Sequence, residues 1–150
     1  MPFGPDLLRF NNSAIYHIGV LRAPLHVPDM EECKNILVVD DEAAIRILLC
    51  HALQRSGFQA FEASNGPEAI SVARDSSNQI GVLVSDVVMP GMSGPELARN
   101  LGAAHPGLKV ILMSGYSDNP PAMEPGWEFL QKPFSPATLC DALHRVCGLP

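Results

Sequence analysis

The sequence predicts an α/β domain of the doubly wound kind, a five-stranded parallel sheet flanked by helices. Three observations carry that reading. From residue 34 onward, short apolar runs alternate with helical patterns. Three of the runs, "NILVV", "IGVLVSDVV" and "LKVILMS", are apolar almost throughout instead of alternating, which marks strands covered on both faces. Five strand-and-helix units fit between residue 34 and the end, with connections short enough for right-handed crossovers.

In chain order, "NILVV" is the first strand. Residues 43 to 56 place Ile45, Leu48, Leu49, Ala52 and Leu53 on one helical face, and Gly57 stops that helix. "FQAFEA" is a second, weaker strand. "NGPEAISVARD" begins a helix with Gly-Pro and groups Ala69, Ile70 and Ala73. "IGVLVSDVV" is the third strand, and "SGPELARNLGAAH" a helix with Pro95 in its first turn. "LKVILMS" and "WEFLQ" are strands four and five. The last helix, "SPATLCDALHRVC", has Ser135 as its cap, Pro136 at the first position, and a stripe of Leu139, Ala142, Leu143 and Val146. One unit is irregular. "GYSDNPPAMEPG", between strands four and five, holds three prolines, and an internal proline costs a helix about 3 kcal/mol. A fourth helix there is expected to be short or irregular.

The bulk numbers exclude several classes. At 150 residues the chain is one ordinary domain, and 47% hydrophobic content supports a true core. Residues 1–30 contain two acids, two bases and four prolines with no sustained periodicity, and are expected to form a poorly ordered extension. Met30 immediately precedes the organised part and is a plausible alternative translation start. The whole net charge of -6 therefore falls on residues 31–150, and an acidic domain without a basic stripe argues against nucleic acid as a partner. No apolar run approaches the roughly 18 to 20 residues that span a bilayer, and "AIYHIGVL" lacks the basic leader of a signal peptide. Cys33, Cys50, Cys140 and Cys147 form no CxxC and have no histidine at zinc spacing, so free thiols in a reducing, cytoplasmic setting are expected.

In such folds the working edge is the carboxyl end of the strands. Strand one delivers Asp40 and Asp41 there, strand three Asp86, strand four Ser114, and strand five Lys132 and Pro133. Each has a plain alternative: an aspartate after a strand can cap the next helix, and a lysine can be solvated surface. The coincidence across separate strand ends is the signal. Three carboxylates in one crevice repel unless a cation neutralises them. Mg²⁺ suits a site of few oxygen ligands. Lys132 and Ser114 could then orient phosphoryl oxygens, one by charge and one by a hydroxyl hydrogen bond.

Four segments, "ILVVDDE", "VLVSDVVMPGMSG", "VILMSGYS" and "FLQKPF", resemble in order and spacing the signature motifs of the response regulator receiver domain of two-component signalling, over residues 34–147. The resemblance implies strand order 2-1-3-4-5. It implies that Asp86 accepts a phosphoryl group from a sensor histidine kinase or histidine phosphotransfer protein. It gives Asp40, Asp41 and the Val88 backbone carbonyl, with Asp86, as the Mg²⁺ site. It makes Ser114 and Lys132 the phosphate partners and Phe129 the aromatic switch. It also implies a cis Lys132–Pro133 bond, in keeping with the near confinement of cis peptides to X-Pro. For Phe129, core packing is the plainer role. Glu42 and the histidines attract none.

The departures matter too. Val88 stands two residues after the phosphoacceptor and Tyr116 two after Ser114, where either could crowd an in-line water; slow autodephosphorylation is expected. The proline-bearing segment 117–126 puts dimerisation through a fourth helix in doubt, so a monomer or weak dimer is expected. The chain stops three residues after its last helical pattern, which favours a stand-alone receiver that signals through a downstream protein, or a relay shuttle, and is no enzyme in the ordinary sense. The alternatives are a receiver detached from a hybrid kinase and a scaffold that takes no phosphate. A phosphohydrolase would want Asp-x-Asp where Asp86-Val87-Val88 stands, and a nucleotide module would want glycines where "DDEAAI" stands.

Overall fold

The computed structural model describes residues 31–115 and 121–149. Nine elements follow one another: β1 (Asn35–Val39), α1 (Ala43–Arg55), β2 (Gln59–Ala63), α2 (Gly66–Arg74), β3 (Val82–Asp86), α3 (Gly94–Ala104), β4 (Lys109–Ser114), β5 (Glu128–Gln131) and α4 (Pro136–Cys147). The five strands are parallel and lie in the order β2-β1-β3-β4-β5, as expected. Among the described residues no helix lies between β4 and β5. The 1–30 extension, Tyr116 and the first part of the 117–126 segment fall outside the described residues.

The period-2 alternation of a strand sorts the sheet residues onto two faces. Ile36, Val38, Val82, Val84, Ile111 and Met113 pack with Leu49 and Leu53 of α1 and Leu139, Ala142 and Leu143 of α4. Leu37, Val39, Leu83 and Leu112 pack with Ala69 and Ala73 of α2 and Leu97, Ala98 and Leu101 of α3. Two helices therefore cover each face, which is why the middles of β1, β3 and β4 are aliphatic and their polar residues gather toward the strand ends. Edge strand β2 is less buried, in line with its weaker pattern.

Local chemistry sets the helix starts. Asn65 accepts from the Glu68 N–H, and Ser93 and Glu96 form a reciprocal capping box. Ser135 accepts from the Thr138 N–H ahead of Pro136, as read from the sequence. Gly57 has φ of +90°, the left-handed conformation that ends α1.

Two expectations are corrected. Leu48 was placed on the inward stripe of α1, yet it is 63% exposed, and its neighbour Ile47 is 50% exposed. The helix turns only Leu49, Cys50 and Leu53 fully inward. The second correction concerns the thiols. Cys33 and Cys147 form a disulfide, leaving Cys50 and Cys140 free. Cys33 just precedes β1, and α4 runs antiparallel to the strands, so its last residue returns to the same edge of the sheet. Spacing along the chain carries no sign of that meeting.

Candidate functional site

Strand register brings the site together. Val39 is paired with Ser85, so Asp40 and Asp86 follow side by side at the carboxyl ends of β1 and β3. Asp86 is paired with Met113 and Ser114 with Gln131, so Ser114 and Lys132 extend the row along β4 and β5. Two backbone bonds knit it: Val87 N donates to Met113 O at 2.8 Å, and Lys132 N to Ser114 O at 2.8 Å. The row straddles the point where chain connections depart from β1 and β3 to opposite sides of the sheet, the usual location of ligand crevices in open α/β sheets.

Asp40 is fully buried, and it is held on several sides. Its Oδ2 accepts from Lys132 Nζ at 2.7 Å and its Oδ1 from the Glu42 N–H at 2.9 Å, while its carbonyl accepts from Arg46 Nη1 at 2.8 Å. The aspartate thus serves in part as the cap foreseen by the plainer reading, since the N-cap residue Glu42 makes no side-chain cap bond itself. Lys132 Nζ lies 3.6 Å from Asp86 Oδ1, so one ammonium bridges two carboxylates. The Lys132–Pro133 bond is cis.

Oxygen atoms of Asp40, Asp41 and Asp86 lie within 4.8 Å of one another, and no other such group occurs among the described residues. Three carboxylates against one ammonium leave two negative charges uncompensated when all are ionised. Burial pushes the Asp86 carboxyl up; Lys132 pulls it down, and Asp40 and Asp41 push it further up, with a net rise. Burial acts to lower Lys132, but its hydrogen bond to Asp40 and the fields of Asp40, Asp86 and Glu42 prevail and raise it. Donors that are all oxygen, one fully buried and others open to solvent, suit a hard divalent cation, and Mg²⁺ with its retained waters is the natural match.

Ser114 is buried beside this row. Phe129 is half-buried and packs on the α2/α3 side. The Val88 side chain, two residues beyond Asp86, is 73% exposed. Asp40, Asp41, Asp86, Ser114 and Lys132 thus lie at this edge, whereas Phe129 sits within β5, paired with Leu112. Two contributors escaped that reading. An ideal Cβ on Gly94 would sit 2.2 Å from the Asp86 carbonyl oxygen, so only glycine lets α3 begin against the strand end that carries Asp86. The glycine of "MSG" was that signal. Arg46, a lone cation six residues beyond Asp40, was the other.

This geometry gathers three carboxylates, a hydroxyl and an ammonium at the carboxyl edge of a doubly wound sheet. The response regulator receiver domain model matches residues 36–144, and the chain belongs to that family. It is 40% identical over 123 residues to the sensor kinase CckA of Brucella abortus, covering 79% of this chain and 13% of that one. It is 30% identical over 118 residues to the chemotaxis protein CheY of Thermotoga maritima, covering 75% of this chain and 97% of that one. Among solved structures, the response regulator protein TrrA of Thermotoga maritima in complex with Mg²⁺-BeF is 32% identical with a TM-score of 0.65, covering 75% of this chain and 98% of that one. The chain thus spans only a small part of the kinase it resembles. No helix among the described residues is long and apolar enough to cross a membrane.

Proposed function

We propose that Asp86 accepts a phosphoryl group from a sensor histidine kinase or histidine phosphotransfer protein and that the phosphorylated chain signals by altered binding to a downstream protein. The observation that carries this is one hollow in which Lys132 Nζ stands 2.7 Å from Asp40 and 3.6 Å from Asp86, with Asp41 completing the carboxylate cluster.

In the transfer, a carboxylate oxygen of Asp86 forms a bond to phosphorus as the phosphorus–nitrogen bond to the donor histidine breaks. The leaving imidazole keeps the electron pair and takes a proton from solvent. Asp40, Asp41, Asp86 and the Val88 carbonyl are the groups that would hold Mg²⁺, which when bound neutralises charge on the transferring oxygens. Lys132 supplies the fixed positive charge, so the chain's contribution is positioning and electrostatics. In the product, the Ser114 hydroxyl donates to a phosphoryl oxygen, the loop after β4 shifts with it, and Phe129 turns toward the space released. Coupling of this kind is typically about 1 to 3 kcal/mol.

The finer context is proposed with it: a stand-alone, monomeric or weakly dimeric bacterial receiver with slow autodephosphorylation. Near-complete coverage of the chemotaxis protein supports the stand-alone reading, and the higher identity to CckA supports the alternative of a hybrid-kinase receiver. The Cys33–Cys147 disulfide removes the free-thiol argument for a cytoplasmic setting, which the proposed histidine-kinase phosphodonor alone now supports. The test is intact-mass analysis after incubation with a small phosphodonor and Mg²⁺. One phosphoryl group is expected on the wild type and none on Asp86→Asn. Phosphorylation that persists in that variant overturns the assignment, and a phosphoryl lifetime of only seconds overturns slow autodephosphorylation.

A further inference from the structure

We propose that Arg46 is a positioning residue for the cation site: it fixes the backbone of Asp40 from below, so that the acidic pair meets Mg²⁺ already arranged. This rests on the Mg²⁺ reading given above.

Asp40 is the first residue beyond β1. Its N–H still reaches β2, donating to Ala63 O at 3.3 Å. Its carbonyl has passed the end of the strand, and in a fully buried residue an unmatched carbonyl is costly. Arg46 supplies the match, with Nη1 at 2.8 Å, reaching back from the first turns of α1. The same helix is tied to the loop by the Arg46 N–H donating to Glu42 O at 3.1 Å. Residues 40 to 42 are therefore bracketed by one side chain and its own backbone, and Asp41 is carried between the two fixed points.

The guanidinium is otherwise poorly used. Its Nε is buried without a hydrogen-bond partner, and its nearest carboxylate is Glu62 Oε2 at 4.0 Å. An arginine placed chiefly for an ion pair would not leave that donor unmet. What the position exploits is the bond to the Asp40 carbonyl. It does so at an electrostatic disadvantage, because a positive charge close to the acidic pair opposes cation binding.

The opposition gives the test a sign. Removing Arg46 takes away a repulsive charge, which by Coulomb's law alone tightens Mg²⁺ binding. Removing a positioning group loosens it. Calorimetric titration of the full chain with MgCl₂ is expected to give a Kd about tenfold weaker for Arg46→Met than for wild type, equivalent to about 1.4 kcal/mol. Amide exchange at Asp41 and Glu42 in the metal-free protein should be faster in the variant, a local loosening that needs no metal. Arg46→Lys keeps the charge and the aliphatic stem but withdraws the planar fork, and is expected to lose about threefold. Should Arg46→Met fail to fold, the lysine variant decides alone. Wild-type or tighter affinity in the variant that folds overturns the proposal. Absence of Mg²⁺ binding by the wild type overturns the site reading and this proposal with it, whereas wild-type binding left unchanged by the substitutions overturns this proposal alone.

Discussion

The two edges of the sheet are built on opposite principles. At the carboxyl edge, Asp40, Asp41 and Asp86 crowd around a single ammonium, and the Asp86 carboxyl is pushed up by burial and by its acidic neighbours. At the amino edge, Cys33 and Cys147 join the start of β1 to the end of α4 by a covalent bond across 114 residues. One edge holds groups that disfavour each other in the absence of a ligand. The other closes almost the whole domain into a loop. A site that stores repulsion needs a scaffold that does not yield to it, and the two rows of buried aliphatic residues between the edges, with the clamp below, provide one.

Opening the clamp should have the largest effect on stability. Cys33→Ala, or reduction of the wild type, releases a loop of roughly a hundred residues, for which chain-entropy estimates reach about 4 to 5 kcal/mol and measured losses are often smaller. Urea unfolding with and without a reductant measures it. The reduced wild type and the variant should coincide, and an oxidised wild type no more stable than either would show that the amino edge owes nothing to the bond. Relieving the other edge should help in the opposite sense. Mg²⁺ at a hundred times its Kd should raise stability by about 2.7 kcal/mol, read as a rise in Tm, and Asp40→Asn should lose most of that rise.

Third in size is Gly94→Ala. The new methyl must displace either the start of α3 or the Asp86 carbonyl, at a cost of about 1 to 3 kcal/mol. Phosphoryl uptake from a small donor should slow even where the fold survives, because the displaced backbone is the one that carries Asp86, the proposed phosphoacceptor. An alanine variant with wild-type stability and rate would mean that α3 can shift without disturbing the carboxyl edge.

The same contrast explains what could be read from the sequence. Each strand end announces its own polar residue, and parallel register then places Asp40, Asp86, Ser114 and Lys132 in one row with no further information needed. The caps at Ser135 and the stop at Gly57 were legible because a helix end is decided by a few adjacent residues. The disulfide was not, because it depends on where α4 finishes relative to β1, a tertiary distance with no trace in cysteine spacing. Leu48 misled for a related reason: helical periodicity finds an apolar face but not which of its residues the rest of the fold will cover. Gly94 and Arg46 are intermediate cases. Their residue types were visible, but their work is done on the backbone of Asp86 and Asp40, and backbone neighbours are invisible in a one-dimensional pattern.

The smallest expected effect is the sharpest probe of the strain at the carboxyl edge. Asp86→Asn removes one of three crowded charges and should modestly stabilise the metal-free protein at neutral pH, because the charged form of Asp86 is the disfavoured one in the fold. The sign follows from proton linkage. The folded Asp86 carboxyl lies above the ordinary aspartate value, so between that value and its raised position the folded chain binds more protons than the unfolded one. Wild-type stability therefore falls as pH climbs through this window, and the deficit persists at neutral pH. Asparagine lacks the titration, so the gain in the variant should fade as pH falls through the same window and be gone below about pH 4, where aspartate is neutral in the folded chain and becoming so in the unfolded one. The loss of the 3.6 Å ion pair with Lys132 works against the gain, but burial and the two neighbouring carboxylates already outweigh that ammonium in setting the direction of the shift. Added Mg²⁺ should reverse the order of the two proteins, since the ionised carboxylate is then the favoured form. Thermal unfolding of both proteins across pH, with and without Mg²⁺, reads all three signs, and a destabilised metal-free variant at neutral pH would place the balance of charge at Asp86 on the side of the lysine.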